Sequence, residues 1–194
     1  MLEQFKELAA AYCPESATLS RGSTVERRLS QLRDVFGDPA AVDLLLERDD
    51  PVLYRVMAIE PADGPGDLHL GLGILYPGKV GGEYFLTKGH LHTTREAAEV
   101  YIGLAGDGVM LLEDEAGGNV RMEPLGSGKL VYVPGHTAHR TINTGSEPLT
   151  YFGVYPANAG HDYGAIAERN FTHVVIEIDG QPTLRKRKDV FPNG

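Results

Sequence analysis

The spacing of apolar residues changes near position 50. Before it they recur at intervals of three and four; after it they fall into short alternating runs. "MLEQFKELAAAYC" puts Leu2, Phe5 and Leu8 at three-residue spacing and predicts a short helix. "RRLSQLRDVFGD" fits either a helix or an extended strand. Asp38-Pro39 reads as an N-cap followed by proline at the first helical position, so a helix is predicted over "AAVDLLLERDD", with Asp50-Pro51 ending it.

From residue 52 the runs "VLYRVMAI", "LHLGLGILY", "EYFLT", "EVYIGLA", "GVMLLE", "NVRMEPL", "KLVYVP", "HRTIN" and "LTYFGVY" are β-rich. Turn signals such as "YPGK", "GDG", "EAGGN", "GSG" and "NTGSEP" separate them. Many short strands at this spacing predict an all-β sandwich or barrel with short N-terminal helices. "HDYGAIAERNF" can supply one short helix, and "THVVIEIDGQPTLR" reads as a late hairpin. The expected division is an N-terminal helical and extended segment over 1–49, a barrel over 50–184 and a basic tail over 185–194. In "AEVYIGL", Glu99, Tyr101 and Gly103 share one face and Val100, Ile102 and Leu104 the other. A strand apolar on its outer face needs cover from another sheet or subunit, and its polar aromatic face would line a cavity.

Charge and composition narrow the partners. A net charge of −9 over 194 residues argues against nucleic acid. An anionic ligand would have to be captured by a local site working against that field. The basic cluster Arg185-Lys186-Arg187-Lys188 is expected to be a solvated run. No apolar stretch approaches the ~20 residues of a membrane span, and the N-terminus lacks the layout of a signal peptide. Cys13 is the single cysteine, which excludes an intrachain disulfide and a cysteine zinc site. A cytoplasmic protein without membrane or nucleic-acid partners is expected.

The chemistry concentrates in "TKGHLHTTREAAEVYIGLAG". His90 and His92 are two apart, so on a strand both rings project to one side, as two imidazoles on one metal ion require. Glu99 lies on the inward face of the next strand, and His139 opens a strand on which Thr141 and Asn143 share its face. Three imidazoles and one carboxylate suit Fe(II), Mn(II), Ni(II), Co(II) or Zn(II). His136 sits in the turn before that strand and is expected to stay outside the set. Glu96 remains the rival of Glu99 as the carboxylate.

These residues resemble the two motifs of the cupin superfamily, G-x5-H-x-H-x3-4-E-x6-G and G-x5-P-x-G-x2-H-x3-N. His90-Leu91-His92 and the spacing from Glu99 to Gly106 match the first; Gly128, Pro134, His139 and Asn143 match the second. Six residues separate His92 from Glu99, and His136 stands where the second motif carries glycine. The resemblance implies a jelly-roll, double-stranded β-barrel. The segments "TKGHLH", "AEVYIGLAGDGVMLL", "VYVPGHTAHRTINTG" and "YPANAGHDYG" further resemble the cupin-type glucose-6-phosphate isomerases, from about residue 50 to about 180. That resemblance implies one divalent metal per subunit, iron first, on His90, His92, Glu99 and His139. It implies a sugar-phosphate pocket drawing on Tyr54, Thr87, Gly89, Tyr101, Tyr155, His161 and Tyr163, and a homodimer. Glu99 is the candidate base, with His161 and Tyr155 candidates for ring opening or hydroxyl transfer. A family threonine expected before "YPG" is missing from "LHLGLGILYPG". Lys88 alternates away from Thr87 and Gly89 on an ideal strand and is expected in solvent. A metal-dependent oxygenase and a non-catalytic sugar-binding cupin are the competing readings.

Overall fold

The computed structural model describes residues 8–192. Most of the helix expected over "MLEQFKELAAAYC" lies outside that range. Within it, residues 8–11 are not helical, and β1 (Tyr12–Cys13) pairs with β2 (Thr18–Leu19). The ambiguous stretch that follows is both kinds of structure: β3 (Ser23–Arg28) is extended, and Leu29–Val35 is a 3-10 helix. α1 (Pro39–Leu46) begins as its sequence predicts, with the Asp38 carboxylate accepting from the Ala41 N–H at 3.0 Å and Pro39 in the first turn.

The alternating runs then become strands, all paired antiparallel. They are β4 (Val52–Ile59), β5 (Leu68–Leu75), the short β6 (Lys79–Val80) and β7 (Glu83–Tyr84), β8 (Glu99–Ala105), β9 (Asp107–Asp114), β10 (Val120–Gly126), β11 (Leu130–Val133), β12 (Thr137–Asn143) and β13 (Leu149–Pro156). After α2 (Gly164–Ala167), the late hairpin is β14 (His173–Ile178) and β15 (Gln181–Lys186), followed by α3 (Arg187–Val190).

One wall of the barrel has strand order β11-β8-β13-β5-β4-β3 and the facing wall β10-β9-β12. Isolated bridges Leu86↔Ile142 and His90↔His139 carry the 86–90 segment onto the free edge of β12. Leu75, Met110, Leu112, Leu125, Val131 and Val133 fill the space between the walls. Each such side chain contributes about 1.5–3 kcal/mol by leaving water. This is the double-stranded β-barrel implied by the two motifs. Its motif asparagine is structural: Asn143 is fully buried, donates to the carbonyls of Leu75 and Glu147, and accepts from the Gly145 N–H, which pins the β12–β13 turn to β5.

The sheet β15-β14-β7-β6 forms a further layer. Buried Glu113 on β9 accepts from the Thr172 N–H and hydroxyl, joining that layer to the barrel. Arg187 departs from the expected solvated run. Its guanidinium donates to the carbonyls of Phe171 and Val35 and lies 3.6 Å from Glu83. The outer face of the larger wall is apolar, as "EVYIGL" predicts. Leu19 and Tyr12 of the first hairpin cover part of it with Leu72, Ile74 and Phe152, while Leu130 and Tyr132 remain 69% and 62% exposed. Among the described residues, no helix is long and apolar enough to cross a membrane.

Candidate functional site

His90, His92, Glu99 and His139 come together, each offering one ligand atom within 4.8 Å of the others, and His90, Glu99 and His139 line a cavity of about 280 Å³. β8 points Glu99 inward, and the bridge to β12 sets His90 beside His139, their rings 4.3 Å apart. Glu96, the rival carboxylate, is exposed and outside this group, as is His136. His136 has φ +58°, so the position where the motif carries glycine does take a left-handed backbone here.

The 91–95 loop is tied down by Arg95. Its guanidinium meets Asp162 at 2.6 Å and Glu115 at 2.7 Å and also donates to the His92 carbonyl. Leu91 and Asp162 exchange backbone hydrogen bonds. One arginine therefore holds the loop carrying His92 against the segment carrying His161.

The tautomers follow from the neighbours. His92 Nδ1–H donates to the Ala97 carbonyl at 2.8 Å and His139 Nδ1–H to the Thr137 carbonyl at 3.2 Å. Both Nε2 atoms are thereby turned toward Glu99 Oε2, at 3.3 and 3.2 Å. Neutral imidazoles would present lone pairs to a carboxylate, an arrangement that is stable only with positive charge between them, as protons or a metal ion. His90 Nε2 adds a third such atom, buried without a hydrogen-bond partner. Burial, and after it the neighbouring histidines, push the His90 pKa well below its usual value, so at neutral pH its lone pair is available. At Glu99 burial raises the pKa, but hydrogen bonds from His139 and His92 outweigh it and bring the carboxyl down to about 2. The donor set and its unpaired nitrogen fit one divalent metal ion.

Tyr54, Thr87, Gly89, Tyr101, Tyr155, His161 and Tyr163 all line the same cavity. Burial pushes Tyr54 and Tyr155 up to about 12, so both remain hydroxyl donors at neutral pH. Tyr101 is raised further by burial and by Glu99, to which it is hydrogen bonded. His161 is lowered, mainly by burial, and stacks on Tyr163 at 5.8 Å and 8°. Thr87 and Thr141 are joined by backbone hydrogen bonding, and Thr87 Oγ1 accepts from the Thr141 N–H at 3.0 Å.

Lys88 is where strand alternation misleads. Gly89 has φ +76°, which breaks the extended geometry, and Lys88 turns into the cavity with Nζ 4.7 Å over the Tyr163 ring. Beneath it Arg140, 2% exposed, donates to the Lys88 carbonyl at 2.6 Å and stacks 4.2 Å over Phe171. Burial first, and Arg187 second, lower the Arg140 pKa to about 9.

Sequence reasoning missed Arg27, Arg140 and Tyr151 as cavity-lining residues. Tyr151 had a signal, since it alternates with Gly153 and Tyr155 in "LTYFGVY". Its ring lies where a side chain on Gly73 would be, so the glycine in "LGLGILY" makes room for a tyrosine hydroxyl. Arg27 had none, because a lone arginine before the barrel gives no indication of its pairing.

A family model described as glucose-6-phosphate isomerase matches residues 26–193. A glucose-6-phosphate isomerase of Pyrococcus horikoshii is 48% identical over 167 residues, 86% of this chain and 88% of that protein. One from Sinorhizobium medicae is 38% identical over 157 residues, 80% and 73% of the two chains. Among solved structures, an oxalate oxidase superposes with a TM-score of 0.49 at 13% identity, over 59% of this chain and 56% of that one. With its model matched along the barrel and relatives aligned over most of their length, the chain belongs to the glucose-6-phosphate isomerase family.

Proposed function

We infer that this protein interconverts glucose 6-phosphate and fructose 6-phosphate, moving hydrogen between C1 and C2 of the open-chain sugar. The observation that carries the reading is the three-histidine, one-glutamate cluster at a cavity lined with tyrosine and threonine hydroxyls, in a chain of this family. His90, His92, Glu99 and His139 would hold one divalent ion, with Fe(II) the first choice and Mn(II), Ni(II), Co(II) or Zn(II) suited to the same donors. When bound, the ion supplies Lewis-acid polarisation of the oxygens on C1 and C2.

The remaining steps fall to side chains. Glu99 Oε2 faces the imidazoles, while Oε1 lies against Gly153, where a side chain would collide with it. Oε1 is thus the atom to take a proton from C2 and return it to C1. Tyr101 holds the carboxylate in that orientation. His161, neutral at pH 7, exchanges a proton with the ring oxygen during opening, and Tyr155, edge-on to it at 5.8 Å, donates to a sugar hydroxyl. Thr87 and the Gly89 backbone, with Tyr54 and Tyr163, bind the phosphate. A carboxylate that also ligates the metal is a weakened base, and this favours a second reading in which hydride passes directly from C2 to C1. Deuterium at C2 decides between them: exchange into solvent supports proton transfer, complete retention the hydride shift.

A homodimer and a cytoplasmic location belong to the same proposal. The exposed Leu68, Leu130 and Tyr132 on an apolar sheet face support a second copy, which light scattering would report as twice 21.0 kDa. Sugar phosphates do not cross membranes unaided, which places the reaction where they are made.

A coupled assay for fructose 6-phosphate conversion, run before and after a chelator with each divalent metal restored in turn, tests the function. Activity lost to the chelator and recovered with metal is expected. Inactivity with every metal defeats the isomerase reading, and oxygen uptake with a reducing substrate would favour the oxygenase.

A further inference from the structure

The cavity lining carries positive charge that the isomerisation steps leave unused. Arg27 sits on β3 directly opposite Tyr54 of β4, on the face that lines the cavity. It is half-buried, and its hydrogen bond is to the neighbouring carbonyl of Glu26 at 3.0 Å. The Glu26 carboxylate is engaged by Arg55 at 2.8 Å. Among the described residues neither Arg27 nor Lys88 has a carboxylate partner. Two such cations facing one cavity are unusual in a chain of net charge −9, because charged side chains seldom stay half-buried without a counter-charge.

The hydroxyls between them are free to donate. Tyr54 accepts from the Lys88 N–H, and Thr87 Oγ1 accepts from the Thr141 N–H, so the proton of each hydroxyl is left for the cavity. Arg27 lies close enough to Tyr54 and Tyr163 to oppose the effect of burial on both. Arginine's planar fork matches two phosphate oxygens at once, whereas lysine acts as a point charge.

We propose that Arg27, reaching in from the edge strand β3, binds the dianionic phosphate of the sugar opposite Lys88 and so determines selection of the phosphate ester over the unphosphorylated sugar. The proposal rests on the isomerase reading for the identity of the ligand. It also makes the segment before residue 50 part of the site. The preference weakens below about pH 6, where a phosphate monoester takes up its second proton.

The test uses the full chain loaded with metal, as wild type, Arg27→Gln and Arg27→Lys. Initial rates with glucose 6-phosphate are measured alongside calorimetric titration with inorganic phosphate at low and moderate salt. Arg27→Gln is expected to raise KM and the phosphate Kd together, by about 10- to 100-fold, with kcat falling by much less than KM rises. Arg27→Lys should recover part of both, and the salt dependence of phosphate binding should flatten in Arg27→Gln. An unchanged phosphate Kd in Arg27→Gln, or a loss confined to kcat, overturns the proposal. If Arg27→Gln does not fold, Arg27→Lys decides: losing the fork must weaken phosphate binding at least about threefold, and an unchanged Kd overturns the assignment. Wild type that binds phosphate through Arg27 but isomerises nothing would defeat the function and leave this assignment standing. Isomerisation with a phosphate Kd indifferent to Arg27 would do the reverse.

Discussion

Four donors come together from three neighbouring stretches, the 90–92 segment, β8 and β12, and each is oriented by a backbone carbonyl or a strand face. A second group lining the same cavity, Arg27, Lys88, Tyr54 and Tyr163, comes from β3, a glycine-broken turn, β4 and the loop before α2. In the first group strands β8 and β12 set Glu99 and His139, and an isolated bridge to His139 sets His90. The second depends on a left-handed glycine and on a buried arginine that holds the Lys88 carbonyl. Regular strands therefore carry two of the four donors, Glu99 and His139, while irregular backbone turns Lys88 into the cavity. The two groups should fail differently when mutated.

The largest expected effect is in the donor group. Glu99→Gln should lower kcat/KM by at least about 10³-fold, several kcal/mol of lost transition-state stabilisation. Metal analysis of the same protein then divides the role of Glu99. Metal lost with activity points to ligation, metal retained without activity to proton transfer, and unchanged activity breaks the assignment. Exposed Glu96→Ala is the control and should behave as wild type.

Gly89→Ala tests the second group. A Cβ there would lie 2.7 Å from Phe171 and 3.0 Å from Arg140 Nε, on a backbone with φ +76°. Loss of about 1–2 kcal/mol of stability is expected, read from a denaturation midpoint, with raised KM and unchanged metal content. Metal loss in this variant would mean that the two groups are not separable. Tyr151→Phe removes only a hydroxyl from the cavity lining and should change KM by about 3- to 10-fold with kcat nearly constant. A fall in kcat alone would move Tyr151 into the reaction centre.

The smallest effect is a pH dependence of the metal-free protein. The Glu99 carboxyl is lowered from 4.5 to about 2, so its stabilising contribution is complete above about pH 4.5 and is lost as pH falls toward 2. Glu99→Gln should flatten that part of the acid unfolding curve. An identical curve would show that the carboxylate carries no such contribution when metal is absent.

Much of this was legible because strand chemistry is local. Alternation in "EVYIGL" placed Glu99 and Tyr101 inward, and the His-x-His spacing set two rings on one side. The motif spacing brought in His139 from far along the chain. The same rule failed at Lys88, where one residue with positive φ reverses the direction that alternation predicts. It also failed at Leu8–Cys13, where three-residue spacing suggested a helix and pairing with Thr18–Leu19 prevailed for Tyr12–Cys13. Tyr151 shares its strand face with Gly153 and Tyr155, but only the pairing of β5 with β13 shows that Gly73 opens space for its ring.

By itself the amino-acid sequence determined most of the barrel strands, the family, and the grouping of His90, His92, Glu99 and His139, since these follow from period-two patterning and from fixed spacings along single segments. Only the tertiary structure decided that Arg27 and Lys88 face one cavity, that Arg140 lies buried beneath the Lys88 carbonyl, and that Arg187 leaves its basic run to bind Phe171 and Val35. Those placements depend on which strand lies beside which and on a single left-handed residue, and nonlocal pairing leaves no periodic trace in the chain.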